Sequence, residues 1–209
     1  MIRNFLNKLA ENSKLFEVFE KIFGADIQKK LAYRSAYKNG KRLLDFGCST
    51  GNTTEAFLDF DYVGIDLDPG CINYAKNRWK EYSNVKFIAN DIFKKPFKSN
   101  YFDYILFAGT GHHIQDTLFV PILRELLQVL KDDGELWFYD ILRPQKNSPL
   151  LTKLLANLDR GRYIRTFKQY ESIFENLNGI TVSEKKVFKV TNTLIPQEDY
   201  CFFRIKKSS

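Results

Sequence analysis

The stretch LDFGCSTGN, residues 44 to 52, places an acidic residue, two glycines, a serine and a threonine at the end of an apolar run. Small residues in such a turn let backbone N–H groups approach a ligand closely, which suits a nucleotide-like molecule. Two common versions of that chemistry are excluded by spacing. Gly47-Cys-Ser-Thr-Gly51 does not read G-x-G-x-x-G, and no lysine follows Gly51 to supply the cation of a triphosphate-binding loop. Three more sets of polar residues follow apolar runs: Asp66 after DYVGI, Asn90 and Asp91 after VKFIA, and the chain's two histidines, His112 and His113, after FDYILFAGTG. Each carboxylate also has a structural reading. Asp45 could cap the turn, Asp66 could start an Asx-turn ahead of Pro69, and Asp91 could cap a short helix.

The elements that must position these residues are legible as an alternation. Strand-like runs occur at 42–46, 61–66, 85–89, 102–108 and 135–140, separated by the helix-like segments NTTEAFLDF, PGCINYAKNRWKEY and TLFVPILRELLQVLKDD. Apolar runs without strict alternation mark strands covered on both faces, and strands alternating with helices mark a parallel sheet. Pro69, one residue after Asp68, suits a helix start, and Gly134 stands where a left-handed cap would end the third helix. Phe5, Leu6, Leu9, Leu15, Phe16, Phe19, Ile22 and Phe23 recur at helical intervals in the first 40 residues. Further helical patterns at 149–158 and 166–177 precede two late strands at 183–190 and 199–207. The expected architecture is α/β, a doubly wound, mostly parallel seven-stranded sheet of Rossmann-like form, with N-terminal helices and a late antiparallel strand.

A chain of 209 residues with 44% hydrophobic residues supports one sizeable core. A single domain is expected over 1–209: an N-terminal helical lid at 1–41, a core at 42–140, and helices with the last two strands at 141–209. No apolar run approaches the ~20 residues of a membrane span. The polar N-terminus lacks a secretory pattern, and Cys48, Cys71 and Cys201 form neither a metal pattern nor an even disulfide set, so a cytoplasmic location is expected. The net charge of +7 divides into about +5, −5 and +7 over 1–41, 42–140 and 141–209. Basic flanks attract nucleic acid, anionic lipid or an acidic small substrate, and composition does not choose among them.

The motif LDFGCSTGN resembles the first motif of class I S-adenosylmethionine-dependent methyltransferases, D/E-x-G-x-G-x-G. Asp45, Gly47 and Gly51 match; Ser49 stands where the middle glycine usually is, a departure compatible with a negative φ there. The resemblance covers residues 42–140 and implies the cofactor S-adenosyl-L-methionine, with S-adenosyl-L-homocysteine as product. It places Asp45, Gly47, Cys48, Ser49 and Gly51 around the cofactor. Asp66 would accept the ribose hydroxyls, with Leu67 beside it in the cofactor site, and Asn90, Asp91 and Ile92 would form the adenine segment. Phe107 and Ala108, at the end of the fourth run, would border the methionine part. An acidic central segment suits a cationic sulfonium.

A sulfonium methyl is already activated, so a protein need only align a nucleophile, exclude water and, for a hydroxyl or carbon acid, remove a proton. His112 and His113 are the candidate bases, with Asp116 as a residue that could orient one ring. No metal is expected. The patterns N/D-P-P-Y/F and Pro-Cys, used by resembling enzymes on nucleic-acid bases, are absent. The small-molecule and lipid methyltransferases that the chain resembles imply an acceptor that is a small, anionic or amphipathic metabolite. Arg160, Arg162 and Arg165 form the densest basic cluster, of which Arg160 and Arg162 are the candidates to bind an acceptor carboxylate or phosphate. Two other readings stay open: a nucleic-acid methyltransferase, and a cofactor-binding regulatory module without turnover.

Overall fold

A computed structural model describes residues 41–150, 153, 161–189 and 199–208. The N-terminal helical stripe, most of the 149–158 pattern and Arg160 lie outside the described residues. The strands are β1 (Arg42–Phe46), β2 (Asp61–Asp66), β3 (Val85–Ala89), β4 (Phe102–Ala108), β5 (Leu130–Ile141), β6 (Ile180–Lys189) and β7 (Asp199–Lys207). Three α-helices accompany them among the described residues: α1 (Pro69–Arg78), α2 (Asp116–Val129) and α3 (Phe167–Glu175). The strands form one seven-stranded sheet in the order β3-β2-β1-β4-β5-β7-β6. The first five pair in parallel, whereas β7 runs antiparallel to both β5 and β6. This is the expected fold, and its order reverses between β1 and β4, where ligands bind in open α/β sheets.

The run-on hydrophobicity of the strands has a direct structural cause. Successive residues point to opposite faces, so Leu44, Phe107, Phe138 and Phe203 enter a core beneath α2 and α3, while Leu43, Leu106, Trp137 and Phe202 enter a second core on the face of α1. Both faces are buried, and neither can be polar. Helix α1 starts as the sequence predicts: the Asp68 carboxylate accepts from the amides of Gly70 and Cys71, with Pro69 at the first helical position.

Two local expectations fail. NTTEAFLDF forms only a short 3-10 turn, Thr54–Phe57, instead of a helix. Its hydroxyl and amide side chains engage partners elsewhere: Thr53 donates to Asp45, Thr50 donates to Asn52, and Asn52 accepts from Arg78. Such bonds compete with helix formation. Gly134 is no helix cap either, because it lies inside β5. There a side chain would meet the Leu130 Cδ1 at 2.7 Å and the Asp103 carbonyl oxygen at 2.9 Å, so close packing of β5 on β4 requires the glycine.

At the amino ends of the strands, Asp103 ties three of them together. Its carboxylate accepts from the Arg42 amide of β1 at 2.9 Å and from the Lys131 ammonium of β5 at 2.7 Å, with Lys41 at 3.4 Å. Burial pushes its pKa up, but Lys131, the Arg42 amide and Lys41 outweigh burial and hold the carboxyl below its ordinary value. A depressed carboxyl pKa contributes stability that is present at neutral pH and is lost as pH falls through the folded value. Asp103→Asn should therefore cost about 1–2 kcal/mol at pH 7, and the deficit should shrink in urea titrations repeated near pH 3. A deficit that persists undiminished at low pH would show that the carboxylate's charge is not what matters.

Candidate functional site

The carboxyl ends of β1 to β5 meet on one edge of the sheet, and backbone geometry joins them. After β1 the chain turns through two glycines with positive φ, Gly47 at +75° and Gly51 at +72°. The Gly47 and Cys48 amides both donate to the Ile65 carbonyl of β2, at 2.9 and 3.2 Å. A side chain on Gly47 would collide with Thr110, and one on Gly51 would lie 2.9 Å from Trp79 Nε1 and 3.0 Å from Phe87 Cζ. The first-motif glycines are thus required by backbone conformation and by crowding together.

Asp45 is 2% exposed and acts from beneath the turn. Its Oδ2 accepts the Tyr62 hydroxyl at 2.6 Å and the Thr53 hydroxyl at 2.7 Å. Burial, then the Asp45 charge, pushes the Tyr62 hydroxyl far above its ordinary pKa and keeps it a donor. Cys48 points inward against Gly64, and burial followed by the charges of Asp45 and Asp66 raises its thiol. It is a packing residue in the turn rather than a nucleophile.

Ser49 departs from expectation. Its φ is +48°, the left-handed conformation that a glycine would adopt without penalty, whereas the sequence reading assumed a negative φ. The strain is held by the Asp66 carboxylate, whose Oδ2 accepts the Ser49 amide at 2.9 Å, and by a Ser49 Oγ–Cys71 Sγ contact at 3.9 Å. The other oxygen of Asp66 accepts the Asp68 amide at 2.9 Å, and the Asp66 carbonyl accepts the Asn90 amide at 3.0 Å. So the ends of β1, β2 and β3 are linked through Asp66. Asn90 accepts from the Asp91 amide at 2.8 Å, and Asp91 caps the 3-10 turn Ile92–Lys94 by accepting from Phe93. The Asx-turn read for Asp66 and the cap read for Asp91 both exist, whereas Asp45 accepts two side-chain hydroxyls.

Apolar surface beside those carboxylates comes from Leu67, 72% exposed, and Phe93, 40% exposed. Ile92, the residue expected to pack on a ring, is itself 3% exposed and belongs to the core. Phe107 likewise points inward, stacked among Phe46, Phe119 and Phe138, so only the main chain of Phe107 and Ala108 faces the strand ends. The Phe107 side chain, expected to border the methionine part, is in the core instead.

The histidines separate sharply. His112 is 6% exposed and its Nδ1 lies 2.5 Å from Asp140 Oδ1 at the end of β5, whereas His113 is exposed with its ring 4.1 Å away. Asp140 has no exposed surface and accepts the Tyr170 hydroxyl of α3 on Oδ2 at 2.7 Å. A carboxylate on Nδ1 puts the hydrogen there and leaves Nε2 with the lone pair. Asp116, expected to orient a ring, instead accepts from Arg165 at 2.6 and 3.0 Å. Arg165 is 3% exposed, donates to the Gly111 and Ile114 carbonyls and lies 4.5 Å over the Phe119 ring. It staples the histidine loop and is not free for a substrate anion. Arg162 is exposed and immediately precedes Tyr163, whose amide donates to the His112 carbonyl at 3.0 Å. Asp140 and Tyr170 escaped the sequence reading; the available signal was an acid closing the apolar run ELWFYD.

Replacing Ser49 by glycine should relieve the positive φ and leave stability unchanged or raise it by up to about 1 kcal/mol, despite the added chain entropy. Denaturant titration checks this, and a loss beyond 1 kcal/mol would mean that the serine hydroxyl, not the backbone, shapes the turn.

Comparison with known proteins agrees with this geometry. Residues 43–134 match the methyltransferase domain family. YcgJ of Bacillus subtilis (strain 168), an uncharacterized methyltransferase, is 28% identical over 148 residues, 68% of this chain and 57% of that protein. Malonyl-[acyl-carrier protein] O-methyltransferase of Acetivibrio thermocellus is 32% identical over 139 residues, 62% of this chain and 46% of that one. The chain thus spans about half the length of these relatives. The structure of Haemonchus contortus phosphoethanolamine N-methyltransferase 2, in complex with phosphomonomethylethanolamine and S-adenosylhomocysteine, shares the fold with a TM-score of 0.74 at 17% identity, over 100% of this chain and 60% of that one. Through residues 43–134, the segment that builds the glycine turn and the strand ends, the chain matches the methyltransferase domain family and is similar to methyltransferases of differing acceptor.

Proposed function

We propose that the chain transfers the methyl group of S-adenosyl-L-methionine to a small, anionic or amphipathic acceptor. The observation that carries this reading is Asp66: a partly exposed carboxylate at the end of β2, within 2.9 Å of the Ser49 amide, beside Asn90, Asp91 and the exposed Leu67. This donor and acceptor set fits an adenosyl group. Asp66 would hold the ribose hydroxyls, Asp91 and Asn90 the adenine edge, and Leu67 with Phe93 would cover its face. The turn from Gly47 to Gly51 would lie along the methionine portion. When bound, the sulfonium supplies an activated methyl group, and the buried Asp45 with Asp66 makes the surroundings favourable to positive charge.

The remaining work falls to this chain's own side chains. His112, with Nδ1 held by Asp140, presents a lone pair at Nε2 and can take the proton that an acceptor hydroxyl, protonated amine or carbon acid gives up. His113 borders it and is open to water. An acceptor anion would meet Arg162, the exposed member of the basic cluster, with Arg160 as its proposed companion. Arg165, the third member of the cluster, takes no part, since its guanidinium is committed to Asp116 and to two loop carbonyls.

The basic late strands do not favour nucleic acid as the acceptor. Lys185 pairs with Glu171 and Glu175, Lys186 and Arg204 with Glu184, Lys206 with Glu135, and Lys207 with Asp132. Cations matched in this way are a charged sheet edge rather than a phosphate-binding stripe. Among the described residues, no helix is long and apolar enough to cross a membrane.

Two experiments test the reading. Calorimetric titration should show S-adenosyl-L-methionine and S-adenosyl-L-homocysteine binding, weakened tenfold or more by Asp66→Ala, about 1.4 kcal/mol. A folded protein that binds neither would end the proposal. With an acceptor found among phosphorylated and carboxylated amphiphiles, joint replacement of Arg160 and Arg162 by alanine should raise the acceptor KM about tenfold or more, with cofactor affinity intact; loss of cofactor affinity instead would remove both residues from the acceptor side.

A further inference from the structure

Asp140 divides a single buried charge between two elements. Oδ1 accepts the His112 Nδ1–H at 2.5 Å and the Ile141 amide at 2.9 Å, whereas Oδ2 accepts the Tyr170 hydroxyl at 2.7 Å. Tyr170 has no exposed surface, and its ring lies 4.8 Å from Phe138 and 5.7 Å from Phe119, so the hydroxyl is aimed by packing of α3 on the sheet. Hydrogen bonds to one carboxylate compete: a donor on Oδ2 draws charge away from Oδ1, and the low-dielectric surroundings enlarge that effect.

We infer that Tyr170 is a positioning residue of the site, which acts through Asp140 to fix the ring orientation of His112 and to restrain its proton affinity. This rests on the reading of His112 as the acceptor of a proton during methyl transfer. An Asp140 bonded to His112 alone would stabilise the imidazolium strongly and hold the proton where it is not wanted. Sharing the charge with Tyr170 tempers that stabilisation, so that His112 can give the proton up again. Burial, then the Asp140 charge, pushes the Tyr170 hydroxyl far above its ordinary pKa, so it remains a donor across the working range.

Among the described residues, the other groups around the pair have different partners. From β7, the Cys201 thiol donates to the Asp140 carbonyl, not the carboxylate, and burial followed by the Asp140 charge keeps it protonated. From the segment after residue 160, Arg165 holds Asp116 and the carbonyls of Gly111 and Ile114, and its guanidinium lies 5.5 Å over the Tyr170 ring. Tyr163 offers its amide to the His112 carbonyl. From the same loop, the exposed His113 lies beside His112 and would oppose a second positive charge.

The chain has two histidines, so a ¹⁵N imidazole titration reads His112 directly, with His113→Gln assigning the signals. In the wild type, His112 should be the Nδ1–H tautomer with a slowly exchanging Nδ1 proton. Tyr170→Phe should raise its midpoint by about half to one pH unit, a three- to tenfold gain in proton affinity, and Asp140→Asn should lower it by about one unit or more. An unchanged or lowered midpoint in folded Tyr170→Phe overturns the inference. So does an Nε2–H tautomer in the wild type, which needs no variant to fold. Neither acceptor nor cofactor is present in this titration. A negative result therefore removes Tyr170 from the site while the calorimetry above still judges methyl transfer, and absent cofactor binding leaves the titration result standing.

Discussion

A carboxylate taken out of water must find its hydrogen-bond partners inside the protein, and two buried ones organise this molecule. Asp45 gathers the Thr53 and Tyr62 hydroxyls and so fixes the turn after β1 against β2. Asp140 gathers His112, Tyr170 and the Ile141 amide and so fixes the loop after β4 against β5 and α3. The strands supply rigid positions, but the two charges decide how the loops at their ends are oriented. Losing one donor from either would leave a buried charge short of a partner, which is far costlier than losing an exposed pair.

The two carboxylates also split the edge of the sheet into halves of different character. On the β1–β2–β3 side the contacts run mainly through the main chain: amides of Gly47 and Cys48 to Ile65, Asn90 to Asp66, Ser49 to the Asp66 side chain. Such bonds hold a shape with little dependence on side-chain identity, which suits a common cofactor. On the β4–β5–α3 side the contacts run through side chains, His112 to Asp140 to Tyr170 and Arg165 to Asp116. There a substitution changes chemistry, and that is where acceptors can differ between proteins sharing one fold.

This division explains what could be read in the sequence. The sheet was legible because five two-faced apolar runs admit few arrangements, and the glycine turn was legible because positive φ at Gly47 and Gly51 restricts residue type. Asp45, Asp66 and Asp91 were legible because local spacing places them at strand ends. Contacts that depend on tertiary approach were not. Asp116 and Asp140 are both acids within reach of the histidine pair along the chain, and only the docking of 161–165 onto the loop assigns Asp116 to Arg165. Ser49 misled for a related reason: its type suggests negative φ, but the bond to Asp66, seventeen residues away, holds it left-handed. Gly134 misled because crowding against Leu130 and Asp103, and not helix termination, is what demands a glycine there.

Arg165 shows how burial changes a residue's meaning. By composition it is one of three arginines in a basic segment, and an anion-binding role follows from its type. In the fold its guanidinium is enclosed between Phe119, Tyr170 and two carbonyls, and among the described residues its carboxylate partner is the largely exposed Asp116. The charge is shared between the Asp116 carboxylate, two neutral carbonyls and the aromatic faces. Segment 161–165 is thereby fastened over the histidine loop whatever occupies the site, and Arg162 is carried to its exposed position by that fastening. On the proposed reading, Arg165 sets the place without touching the acceptor, and Arg162, three residues earlier, would be the group that meets the acceptor's anion.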